Sequence, residues 1–162
     1  MSPRRQLLLA IAALALAGGA AAGIVLAFGG SAHARPTKTQ YFASVAKICR
    51  TYGPKLDRIA PPSDVTIPGE VVTPLKRVIP LVQAETAEVR ALRPPRELAA
   101  RIGRWLTLKD RALATLKRAL AAAEAPNIPL TASEYLQFLT LARQTAKLGG
   151  QIGFPAVCSS SS

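Results

Sequence analysis

Few side chains of this chain can do chemistry, and their types and spacing narrow the reaction classes. The single histidine is His33 and the single methionine is Met1, both ahead of the first helical pattern. The remainder therefore has no imidazole for a catalytic triad, a proton shuttle or a zinc site. It has no Met/His haem ligation, no Cys-x-x-Cys-His and no Glu-x-x-His pair for a di-iron site, so no metal and no cofactor are expected. Gly149-Gly150 follow a helical pattern rather than a strand, which removes a phosphate-cradling loop. Glu85 and Glu88, three apart on one helix, are spaced as an acid and base could be. The same spacing suits a solvated face paired with arginines, and no second feature marks a pocket beside them. A non-catalytic protein is the expectation.

Three further features could bind rather than react. Lys109 falls at the centre of an apolar stripe between Leu98, Ile102 and Leu116. A lysine so placed either contacts a ligand or pairs with a carboxylate from another helix, Glu85 or Glu134. Trp105 on the same stripe suits the core or the wall of a ligand pocket. Arg104, Arg111 and Arg118 recur every heptad and form a row opposite that stripe, where anionic lipid headgroups or phosphate-rich envelope polymers would be the partners. Cys49 and Cys158 form an even pair near the two ends of the patterned region. In an oxidising compartment they are expected to bridge, closing a loop of roughly 100 residues for which chain entropy gives about 4.7 kcal/mol. A redox pair would sit closer, as Cys-x-x-Cys.

The elements that position these residues are helices. The longest pattern runs from Pro95 to Ala125, with Leu98, Ile102, Trp105, Ala112, Leu113, Leu116, Leu120 and Ala123 on one side. Before it, Phe42, Val45, Cys49, Tyr52, Leu56 and Ile59 repeat behind a threonine cap at Thr37 or Thr39, with a kink or short break expected at Gly53-Pro54. A second helix is expected from about Thr73 to Arg93, with Leu75, Val78, Ile79, Val82, Thr86 and Val89 inward and a bend at Pro80. For the last helix, Thr131 and Glu134 read as a capping box with Leu130 stapled to Tyr135, and Gly149-Gly150 read as the stop. The apolar tail Gln151 to Cys158 should fold back, leaving 159–162 disordered. Apolar residues at 49% with aromatics at 5% suit an aliphatic, alanine-rich helical core. The expected fold is all-α: an up-down four-helix bundle with proline-bent helices and one disulfide.

Residues 1–35 read as a signal peptide or signal-anchor helix and 36–158 as the bundle domain. Arg4 and Arg5 precede an uncharged apolar run from Leu7 to Phe28, and Ala32-His33-Ala34 has the small-x-small form of a cleavage site. At about 1.5 Å per residue the run is also long enough to cross a core of about 30 Å, so anchoring in the cytoplasmic membrane and secretion both stay open. Either outcome places the domain outside the cytoplasm. The net charge is +12, and all 9 acidic residues lie beyond Arg35, so the domain is basic apart from its leader. Nucleic acid fits that charge but not the address, and no recognition motif accompanies it.

The stretches Val45 to Cys49, Ala91-Leu92-Arg93-Pro94-Pro95, Arg104-Trp105-Leu106 and Gly153 to Cys158 resemble small exported or membrane-anchored four-helix proteins of actinobacteria. The resemblance implies the fold and the disulfide and brings no activity, cofactor or site residue. The functional expectation is a cell-envelope binding or interaction module, with a carrier of a small apolar ligand between the helices as the alternative. A ligand-sized cavity would favour the carrier and a filled core the interaction module.

Overall fold

Thr37 opens the first helix: its hydroxyl accepts from the Gln40 amide at 3.2 Å while the Gln40 side chain accepts from the Thr37 amide at 2.9 Å. The computed structural model describes residues 35–158, and the signal or anchor segment and residues 159–162 lie outside them. The described part is all-helical, with four helices and no strand among these residues. They are α1 (Lys38–Leu56), α2 (Pro68–Ala91), α3 (Arg96–Glu124) and α4 (Ile128–Ile152), followed by a 3₁₀ turn at Ala156–Cys158. No helix among the described residues is long and apolar enough to cross a membrane.

Cross-helix pairs fix the directions. Arg90, Gln83 and Lys76, descending α2, meet Asp110, Lys117 and Glu124, ascending α3. Arg118 and Arg101 of α3 meet Glu134 and the Gln151 carbonyl of α4 in the same reversed order. The α2–α3 and α3–α4 pairs therefore pack antiparallel, with α3 between α2 and α4. The α1 helix packs on α2 and on the 3₁₀ turn more than on α4. The contact of α3 with both α2 and α4 explains why Thr115, Ala119 and Ala122 are buried beside the expected stripe of α3.

The side chains gather into two cores. At the disulfide end, Tyr41, Val45, Ile48 and Tyr52 of α1 meet Val89, Leu98, Ile102, Trp105 and Ile152. At the other end, Val71, Leu75 and Ile79 meet Leu116, Ala119, Ala123 and Tyr135, with Val65 of the α1–α2 connection alongside. Helix length accounts for the division. The 19 residues of α1 reach about 28 Å and the 29 of α3 about 43 Å. Beyond Leu56 the fourth side of the bundle passes to the connection, where Ile59 is buried. Asp64 accepts from the amide and hydroxyl of Thr66, which holds its carboxyl below the usual range, and Glu70 accepts from the Ser63 hydroxyl and the Asp64 amide.

Several boundaries differ from the sequence reading. The α1 helix runs unbroken through Gly53-Pro54 to Leu56, and α2 contains Pro74 and Pro80. It starts at Pro68, a turn before the expected Thr73, because proline is tolerated in a first turn and Glu70 ties that turn to Ser63 and Asp64. The Thr131–Glu134 capping box is overturned. Asn127 caps α4 through the Leu130 amide at 3.2 Å, Thr131 lies buried inside the helix, Leu130 is exposed, and Glu134 turns to Arg118. Asparagine one turn earlier, followed by Pro129, offers the same cap without bringing Glu134 away from its cation. The stop at Gly149-Gly150 is corrected likewise: α4 continues to Ile152, and Gly153, at φ 91°, supplies the left-handed cap.

The tail folds back as expected. Cys49 and Cys158 are bonded, with Cα atoms 5.1 Å apart and a sequence separation of 109. Phe154 stacks edge-on against Trp105 at 5.0 Å and against Phe42 at 6.0 Å.

Candidate functional site

Alongside the C-terminal half of α1 and the connection after it, the helices leave a half-open cavity of about 490 Å3, with Pro61, Leu139, Ala146 and Gly150 exposed at its mouth, inside the range of about 300–1,000 Å3 usual for small-molecule sites. On α4, Tyr135, Phe138 and Leu139 line one end, and the short Ala142, Thr145, Ala146, Gly149 and Gly150 leave room along the rest. Val45, Cys49 and Leu56 of α1, Leu75, Val78 and Val82 of α2, Leu113 and Leu116 of α3, and Ile59 and Pro61 of the connection complete the largely apolar lining. Gly149 is needed where it stands: a Cβ there would lie 3.3 Å from Nε1 of Trp105 and 3.4 Å from Phe154. The glycine lets the indole and the tail phenyl approach the helix at the cavity's disulfide end, where Cys49 and Cys158 also line it.

Asp57 lies exposed at the edge of the lining, and one charged pair stands in the apolar wall itself. Lys109 donates from Nζ to Oε2 of Glu85 at 3.0 Å, with the side chains 18% and 8% exposed, and the same ammonium lies 5.4 Å from the Trp105 ring centroid. The expected pairing of Lys109 with a carboxylate of another helix is thus Glu85, and Trp105 and Lys109 share the cavity. Glu85 is not on a solvated face. Its carboxylate is buried, whereas Glu88 is exposed and accepts from the Tyr52 hydroxyl at 2.6 Å. That bond, with burial added, raises the Tyr52 pKa. The two carboxylates are therefore divided between different partners rather than arranged as acid and base. The signal for Glu85 was present in the sequence, since Val78, Val82, Glu85 and Val89 keep helical spacing on one face.

The arginine row divides. Arg104 and Arg111 are exposed, with no acidic partner among the described residues. Arg118 is held: Nε donates to Glu134 at 2.9 Å, which raises its pKa, and the guanidinium also donates to Thr115. No group of three or more His, Cys, Asp or Glu side chains that could hold a metal ion occurs among the described residues. No protein-family model matches this chain, and no similar curated protein or solved structure was found.

Proposed function

We propose that the chain is an extracytoplasmic, non-catalytic binding protein, an up-down bundle with bends at its internal prolines, that carries a small apolar ligand between its helices. The observation behind this reading is the 490 Å3 cavity with its largely aliphatic lining. Of the two expected functions, a filled core would have suited an interaction module, and a space of this size suits the carrier. Cell-envelope address follows from the leader, which either tethers the domain to the cytoplasmic membrane or is removed on export. The exposed Arg104 and Arg111 add a weak attraction to anionic envelope surfaces, worth about 1 kcal/mol per cation at a charged membrane.

Trp105 makes the reading testable without a label, because it is the one tryptophan of the chain and lines the cavity. Titrating the exported protein with a small apolar dye should shift or quench its tryptophan emission saturably at about one dye per chain. Ala142→Trp would fill the cavity but add a second emitter, so Ala142→Phe is the better blocking variant, and it should abolish the saturable change. Emission indifferent to the dye, or a change that survives blocking, would count against a ligand between the helices.

A further inference from the structure

We infer that the ligand is an uncharged amphiphile whose hydroxyl head lodges against the Glu85–Lys109 pair while its chain lies along the apolar wall toward Leu116 and Phe138. This rests on the carrier reading and adds the chemistry of the head. An ammonium has three N–H donors. Lys109 uses one on Glu85, and no other acceptor for it occurs among the described residues. Glu85 uses Oε2, and no donor to its Oε1 occurs among those residues. The cavity therefore offers a donor and an acceptor side by side, on a pair whose charges cancel. A hydroxyl matches this arrangement, accepting from Lys109 and donating to Glu85. A carboxylate head would satisfy the ammonium but face the Glu85 carboxylate at close range, and an amine head would face the ammonium. Like charges beside side chains only 18% and 8% exposed repel more strongly than in bulk water. Thr145 makes no comparable demand, because its hydroxyl already donates to the Leu141 carbonyl at 2.7 Å.

The test compares heads on one chain length. Dodecanol and dodecyl methyl ether below their solubility limits, and laurate and dodecylamine below their micelle concentrations, are titrated into the exported protein, with Trp105 emission as the readout. The ether retains the acceptor and apolarity but cannot donate, so it separates hydrogen bonding to Glu85 from simple partitioning. Dodecanol should bind about tenfold more tightly than each of the others, the ratio one hydrogen bond to a charged group supplies. Glu85→Gln should improve laurate selectively, and Lys109→Gln should improve dodecylamine selectively. Should either variant fail to fold, the order in the unaltered protein still decides. Laurate or dodecylamine binding tightest, or all four heads binding alike, overturns the hydroxyl assignment and leaves the carrier reading standing. No binding by any of the four removes the carrier reading itself.

Discussion

Breaking the Glu85–Lys109 pair should destabilise the domain unequally from its two sides. Lys109→Met leaves a carboxylate whose side chain is 8% exposed without its cation, and losing one partner of a buried pair costs about 3–5 kcal/mol. Glu85→Leu leaves the ammonium instead, which is 18% exposed and sits on a flexible stem over Trp105. That stem can carry the charge toward water, so about 1–3 kcal/mol is expected. Replacing both, by Glu85→Leu with Lys109→Met, removes the desolvated charges together and should lie within about 1 kcal/mol of the parent or above it. Urea unfolding with the disulfide intact measures all four proteins. Near this domain size a loss of 4 kcal/mol corresponds to a fall in Tm of roughly 15 °C. If the double variant costs the sum of the singles, or if Lys109→Met costs less than Glu85→Leu, the pair is not the desolvated unit described.

Other consequences are simpler to read. Reduction of the Cys49–Cys158 bond, which spans 109 positions, should lower stability by up to about 4.7 kcal/mol on the chain-entropy argument. It should also loosen Phe154 from Trp105, seen as a red shift in emission, and peptide mapping that finds two free thiols in exported protein would contradict the bridge. Burial pushes the Tyr41 phenol from 10.0 up to about 12, and its hydroxyl has no hydrogen-bond partner among the described residues. The unfolded chain thus loses this proton first as pH rises, so stability present below pH 10 declines toward about 12. Tyr41→Phe should flatten that decline and stabilise at neutral pH, and an unchanged alkaline profile would refute the assignment. For anionic vesicles, Arg104→Gln with Arg111→Gln should weaken binding and its salt dependence more than Arg118→Gln, which loses a cation already held by Glu134. Equal effects would show that the row acts as one.

The stripes that bury residues were legible, because periodicity reports which face is apolar. Leu98, Ile102, Trp105 and Leu116 stand in the core as spaced, and Cys49 on its stripe meets Cys158. Helix ends were less legible where two caps compete within one turn. Asn127 and Thr131 have similar intrinsic preference, and the contact of Glu134 with Arg118 on a neighbouring helix decides between them. The cavity was not legible at all. It depends on Ala142, Ala146 and Gly149 facing α1 and the connection after Leu56 across a gap their side chains do not fill. Each alanine or glycine alone reads as tight helix packing, and it becomes the wall of a cavity only when the facing elements stand further off. Glu85 lay between the two cases: the sequence reading set it with Glu88 on a solvated face although it shares helical spacing with Val78, Val82 and Val89, and its partner twenty-four positions away is fixed by the α2–α3 register.

Native mass spectrometry of the protein exported from its own cells shows whether the cavity arrives loaded. A second mass released with gentle activation is expected, a neutral amphiphile at one per chain, absent from the Ala142→Phe protein prepared in parallel. A chain that flies at its bare mass from every preparation, or a bound species equally abundant in the blocked variant, would contradict a ligand carried in this cavity.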